Sequence, residues 1–312
     1  MKTLLARPWI WAWVAAALAF ALTAAISQNQ GAWGLAVAAL TFSAFSVIVG
    51  LGQMFVITLG PGNVDLSIPA TMTLAGTVSL KVMDGGAGAE VTGLAIALAI
   101  GAGVGLTNYL LILLIRIPPI IATLAASFLY QSLAIWSNRG LRVKPPESLA
   151  EFAVGRSLGL PNLALLALVL SVLAWVALNR AAYGRQISAI GQNPRAARLS
   201  GLPVEAVRLA TYMLCAVLAG LCGFLLSCFS GGAALNMGQE YLLASIAVVV
   251  IGGSSIGGGR SNVPGIWAGA LFLFLIVSML NSYGLGAGVR LLMTGLIIIA
   301  IVAVGSRGPR GT

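Results

Sequence analysis

Residues 184–201 read GRQISAIGQNPRAARLSG, a polar and basic segment set between two long apolar runs. Arg185, Arg195 and Arg198, with Arg208 just beyond, stand against a single nearby carboxylate, Glu205. The small residues Gly191, Ala196, Ala197 and Gly201 allow such a segment to approach another surface closely. Lys and Arg are retained preferentially on the cytoplasmic side of a bilayer, so a basic interruption between membrane-length runs reads as a cytoplasmic docking loop. It marks the chain as part of a larger machine.

Outward from this loop the chain is apolar. Of its 312 residues, 59% are hydrophobic and 8% are charged, against about a quarter charged in a soluble domain. Several uncharged runs reach the ~20 residues that a helix needs to cross ~30 Å of hydrocarbon. The short alternating segments of an outer-membrane barrel are absent. The fold class is therefore all-α, a polytopic membrane protein forming one transmembrane domain over residues 1–312. Spans are expected near 9–26, 33–58, 67–83, 91–115, 118–136, 161–179, 209–229, 241–253, 263–282 and 289–305, about ten helices with some short or broken. The first, behind Lys2 and Arg7, is read as a retained span. It is long for a signal core, and no clean small-residue cleavage site follows it.

Ten crossings from a cytoplasmic N-terminus place eleven Lys and Arg on the inner side against only Asp65 and Glu205, leaving +9. The outer side receives six basic residues against five acidic ones, leaving +1. That asymmetry is what the positive-inside rule demands, and it puts both termini and the 180–208 loop in the cytoplasm. The outer loop, about 137–160, carries Pro145-Pro146 and mixed charge. It reads as a linker or as part of a landing surface for an extracytoplasmic partner. The net charge of +10 is accordingly read as topology, with no nucleic-acid partner.

Several chemistries lack raw material. The chain has no histidine, and Cys215, Cys222 and Cys228 lie in one apolar run without C-x-x-C spacing, so no metal site and no His-based acid/base catalysis is expected. No G-x-x-x-x-G-K-[ST] occurs, which excludes nucleotide hydrolysis by a P-loop.

Two further breaks interrupt apolar sequence, GPGNVDLSIP at 60–69 and GGSSIGGGRSNVP at 252–264. Irregular backbone at membrane depth is tolerated only where protein or a water-filled cavity surrounds it. In the first break, Asp65 or Ser67 is expected to cap the third helix, with Pro69 in its first turn. Asn63, Asp65 and Ser67 are also candidates to line a translocation pathway, because paired broken segments flank the permeation site of transporters. Gly101-x3-Gly105 and Gly265-x3-Gly269 support close helix packing, and Gln53, Asn108, Gln131, Ser227 and Asn281 are expected to hydrogen-bond between helices.

At this point the residues resemble a known family. The 191–201 core, Gly-Gln-Asn-Pro-Arg-Ala-Ala-Arg-Leu-Ser-Gly, is similar to the cytoplasmic loop of ribose-type sugar ABC importer permeases. Gly62-Asn63-Val64-Asp65-Leu66-Ser67 resembles that family's Gly-Gly-Ile-Asp-Leu-Ser segment, and 247–255 resembles its Ala-Val-Val-Leu-Gly-Gly-Thr-Ser block, in the same order. The likeness covers most of the chain from about residue 40. It implies the permease subunit of an ATP-driven importer of a monosaccharide in the bacterial inner membrane, paired with a second permease subunit. Cytoplasmic ATPase subunits would hold ATP and Mg, the permease itself would carry no cofactor, and a periplasmic binding protein would deliver the solute. By the same likeness, Asn193, Ala196, Ala197 and Gly201 would lie on a helix that couples to the ATPase, with Arg195 and Arg198 adding charge contacts. Asn63 stands where the family usually has glycine, and Ser67-Ile68-Pro69 replaces Ser-Val-Gly, which leaves the solute open. The alternatives are a related permease for nucleosides or branched amino acids, and a secondary transporter of a small polar solute. The latter ordinarily needs intramembrane charges, of which this chain offers little beyond Asp65.

Overall fold

The computed structural model describes residues 8–26, 31–84, 89–138 and 143–283, together with 286, 288–289, 292–296 and 299. Its helices are α1 (Pro8–Ile26), α2 (Gly31–Thr58), α3 (Ile68–Val82), α4 (Ala89–Ile115), α5 (Pro119–Ser137), α6 (Glu147–Val154), α7 (Asn162–Asn179), α8 (Ala182–Gln192), α9 (Pro194–Leu199), α10 (Val204–Phe229), α11 (Tyr241–Ile251) and α12 (Val263–Ser282). Backbone in hydrocarbon must satisfy its hydrogen bonds within its own segment, so the uncharged Ala-, Leu- and Val-rich runs coil into helices.

Seven of these, α1, α2, α4, α5, α7, α10 and α12, are long and apolar enough to cross a membrane. The expected count of about ten is thus met only in part. The runs expected at 67–83 and 241–253 form helices of 15 and 11 residues. At 1.5 Å per residue these extend about 22 and 16 Å, short of the ~30 Å hydrocarbon core. Each adjoins one of the polar breaks, which is where its length is lost. The tenth run, 289–305, falls largely outside the described residues. So do Lys2, Arg7, Arg139, Arg142, Arg290, Arg307 and Arg310, on which part of the charge balance rests.

Two boundaries differ from expectation. The run expected to begin at 209 starts at Val204, which places Glu205 and Arg208 on the first turns of α10. The 137–160 loop is structured where described, holding α6 and a hairpin of β1 (Arg156–Ser157) and β2 (Leu160–Pro161). Ser148 Oγ in α6 donates to Glu90 Oε1 at 3.0 Å, tying this loop to the start of α4.

The core forms around α10, which packs against α4, α3 and α2. Gly101 and Gly105 let α4 lie directly on the α10 backbone at Ala216 and Met213, the close approach that small residues permit between membrane helices. At the other side, Phe42 of α2 meets Phe229 of α10 edge-on and stacks on Phe274 of α12, with ring centroids 5.5 Å apart in both pairs. Phe128, Leu129 and Trp136 of α5 stay exposed, as lipid-facing side chains do.

Candidate functional site

The three polar breaks, far apart in sequence, meet at one end of the bundle. The amide of Gly259 donates to the Thr58 carbonyl at the end of α2, at 2.9 Å. Gly191, at the end of α8, lies against that same carbonyl, and a Cβ there would overlap it. Gly258 has φ +86, and a Cβ on it would collide with Gly60 Cα. Only glycine combines this left-handed backbone with such close approach. Any side chain at Gly191 or Gly258 forces the three segments apart.

From this junction projects the segment that the sequence singles out. The turn between α8 and α9 is made by Asn193, in extended conformation, whose Oδ1 accepts from the amides of Arg195 and Ala196 at 3.1 Å each. Pro194 occupies the first position of α9, where its missing N–H costs nothing. Gly201, with φ +79, closes the other end while Leu202 N–H donates to the Ala197 carbonyl at 3.1 Å. Local chemistry therefore shapes a short helix that tertiary contacts need only hold. Holding it is the task of α8, whose Ile187 and Ile190 are fully buried. Tyr183 donates to Thr211 Oγ1 at 2.7 Å, since Thr211 already donates to Val207 O. Burial pushes the Tyr183 phenol up to about 12, so it remains a neutral donor.

The outer surface of α9 presents Arg195, Ala196, Arg198 and a 90% exposed Leu199. The expectation that Ala196 and Ala197 together open onto a partner is met differently. Ala197 packs inward against this chain, 4% exposed and part of its main buried apolar cluster. Arg195 and Arg198 also part company. Arg198 forms an ion pair with Glu205 on the first turn of α10, whereas Arg195 has no ion pair among the described residues. Glu205 in turn accepts from the Tyr109 hydroxyl of α4. A groove of about 470 Å³ runs beside this pair, lined by Pro194, Arg195, Arg198, Leu199, Val204 and Arg208.

Beneath the junction lies a buried polar cluster. Asn63, Asp65 and Ser67 are 5%, 1% and 0% exposed, so all three are enclosed by protein within this subunit. Asp65 Oδ1 accepts from Ser67 N–H at 2.8 Å, Ser67 Oγ at 2.6 Å and Asn108 Nδ2 at 3.4 Å. Asn108 also donates to Ser67 Oγ and accepts from Tyr130. Asp65 N–H donates to Gln53 Oε1, Leu66 N–H to Thr123 Oγ1, and the Tyr212 hydroxyl to Asn63 Oδ1. The cluster thus joins the 59–67 break to α2, α4, α5 and α10. Burial pushes the Asp65 carboxyl above the usual carboxylate range, and the hydrogen bonds from Ser67 and Asn108 partly pull it back. The expected cap is present in altered form. Ser67 makes no side-chain cap bond, and it is the Asp65 carboxylate that takes the Ser67 amide just before α3.

Sequence reasoning missed Tyr109, Thr123, Tyr130 and Tyr212. The available signal was a hydroxyl inside an apolar run, since a buried tyrosine hydroxyl finds a partner. It also expected Ser227 to bond between helices, but Ser227 satisfies itself on the Phe224 carbonyl of its own helix. Gln131 does reach across, to Leu235 O at 2.8 Å. Among the described residues, no group of His, Cys, Asp and Glu could hold a metal ion. What this arrangement offers is mechanical, a solvated helix fixed to a junction that touches both broken segments.

Comparison with known proteins bears on that arrangement. No solved structure matches the chain. Ribose import permease protein RbsC of Escherichia coli (strain K12) is 30% identical over 270 residues, covering 84% of this chain and 82% of that protein. The RbsC of Bacillus subtilis (strain 168) is 31% identical over 271 residues, covering 83% and 80%. Fructose import permease protein FrcC of Rhizobium meliloti is 29% identical over 299 residues, covering 88% and 81%. A family described as branched-chain amino acid transport system / permease component matches residues 35–302, a stretch that takes in all three breaks and α9. The chain belongs to that family of permease components.

Proposed function

We propose that this chain is the membrane-spanning subunit of an ATP-driven importer that moves a monosaccharide delivered by a periplasmic binding protein. The observation that carries the reading is α9, a helix capped at both ends and held on an exposed face by the glycine junction. Separate cytoplasmic ATPase subunits, which bind ATP and Mg, dock on the 184–201 segment. There Gly191 fixes the junction, Asn193 and Gly201 shape the helix, Ala197 seats it, and Arg195, Ala196 and Arg198 face the partner. A second permease subunit completes the pathway. Ten crossings with both termini cytoplasmic place α9 and all three breaks on the inner side, and their meeting at one end of the bundle fits that arrangement.

Asn63, Asp65 and Ser67 form the packed inner end of the pathway, and their burial suits a closed conformation. The relatives' names favour a sugar, with ribose and fructose as the first probes. The family description favours a second reading, a branched-chain amino acid. Uptake of labelled ribose, fructose and leucine into vesicles holding the assembled importer separates the two. The coupling role is tested by Arg195→Glu with Arg198→Glu. Recruitment of the co-expressed ATPase should fall at least tenfold while the membrane fold is retained, and unchanged recruitment and uptake would reduce the basic loop to a topology signal.

A further inference from the structure

The ion pair beside α9 does not end at the surface. Arg198 of α9 holds Glu205 of α10, and Glu205 accepts from Tyr109 of α4. Tyr109 is 3% exposed, lies 6.0 Å from Tyr212 by ring centroid, and directly follows Asn108 in the chain. Asn108 and Tyr212 are two of the donors that hold the buried cluster, through Ser67 and Asp65 on one side and Asn63 on the other. A line of contacts therefore runs from the docking surface to the break at 59–67, hydrogen-bonded at both ends and joined in the middle by the Tyr109–Tyr212 ring contact.

The line also has a second position available. Arg208 stands three residues beyond Glu205, on the same face of α10. Its Nε is buried without a partner, and it lines the same groove as Arg195 and Arg198. Glu205 thus has one guanidinium bound to it from α9 and a second, incompletely satisfied, three residues on along its own helix. The side chain of Arg198 is 66% exposed and open to an incoming carboxylate. The backbone contact between α4 and α10 at Gly101 and Gly105 leaves little slack to absorb a shift in either helix.

We propose that Glu205 is a switchable counter-ion, and that Glu205 and Tyr109 are the positioning residues through which docking at α9 reaches the buried cluster. A carboxylate of the ATPase entering the groove competes for Arg198. Glu205 then turns toward Arg208, its hold on the Tyr109 hydroxyl changes, and Asn108 and Tyr212 carry the change to Asp65, Ser67 and Asn63. The inference rests on the reading that the ATPase docks at 184–201.

Cys215 supplies a reporter, because it is 1% exposed and sits among the residues around Asp65. In a Cys222→Ala, Cys228→Ala background, the rate of Cys215 modification by N-ethylmaleimide is measured with the permease alone and with the recruited ATPase. Docking should change the rate at least fivefold. In Tyr109→Phe recruitment should stay within twofold of the parent, in Glu205→Gln it should be no weaker than in the parent, and in both the change in labelling should fall below twofold. If Tyr109→Phe packs poorly, the partly exposed Glu205→Gln still decides the matter. A full labelling response in either single variant, or no response in the parent, overturns the proposal. Failure of the parent to recruit any ATPase overturns the docking reading instead, and is seen before any labelling is measured.

Discussion

Replacing Asp65 by leucine withdraws one acceptor from three buried donors. Asn108 keeps its second acceptor, Ser67 Oγ at 2.8 Å. The Ser67 hydroxyl can rotate, but its amide, 2.8 Å from Asp65 Oδ1, has no other partner within reach of a fixed backbone. An orphaned buried donor costs about 1–3 kcal/mol, so the amide and the partly satisfied hydroxyl together cost about 2–4 kcal/mol. Fitting a leucine into the packed site adds strain. Removing a carboxyl that burial already disfavours returns some of this, leaving a net loss of about 3 kcal/mol. Asp65→Asn keeps Oδ1 as the acceptor and should lose less than about 1 kcal/mol. For a chain of this size, about 3 kcal/mol corresponds to a fall of roughly 5 °C in melting temperature. Tryptophan fluorescence during heating of the protein in lipid nanodiscs reads it directly. A leucine variant that melts with the parent, or an asparagine variant that falls as far as leucine, would refute the role given to Oδ1.

The same carboxyl makes stability depend on pH. Its folded value lies above the ordinary carboxylate value, so the folded state binds more protons over that interval, and stability falls as pH rises from the ordinary value through the raised one. The melting temperature of the parent minus that of Asp65→Asn, followed from about pH 4 to pH 8, should therefore decline with pH and then level off; a flat difference contradicts the assigned shift. Gly191→Ala drives a methyl into the Thr58 carbonyl and should cost about 1–3 kcal/mol, whereas Gly103→Ala, with open space around its Cα, should be neutral or slightly stabilising. Equal melting of the two variants argues against the junction. Asn193→Ala removes the acceptor for two amides and should weaken α9 by about 1 kcal/mol, read as reduced ATPase recruitment at an unchanged melting temperature. Tags on each terminus should resist protease added outside sealed right-side-out vesicles, and cleavage of either one contradicts the ten-crossing arrangement.

Much of the helical layout was legible because membrane insertion is a local property. An uncharged run such as 162–179 has only one way to satisfy its backbone in hydrocarbon. The same logic did not foresee that α3 and α11 would be only 15 and 11 residues long, since apolarity alone does not reveal that a polar break consumes the length. A short helix within 191–201 was legible from the resemblance, but its bounds at Asn193, Pro194 and Gly201 came from the structure, although those residues act on amides and carbonyls within a few residues of themselves. Which residues meet across helices was not legible. The membrane helices are apolar on nearly every face, so their sequences carry no stripe that marks the side turned to a neighbour.

The sequence by itself thus determined an all-α membrane protein, the sidedness suggested by its charges, the three breaks, and a short helix within 191–201. Tertiary structure alone decided that the breaks at 60, 191 and 258 share one contact, that Arg198 is held by Glu205, and that Asp65 lies enclosed by α2, α4, α5 and α10. The physical reason is the range of the forces involved. Helix formation and capping act over a turn or less along the chain, whereas a glycine that lets two backbones touch, or a carboxylate that joins two helices, has meaning only once partners on other helices are packed against it.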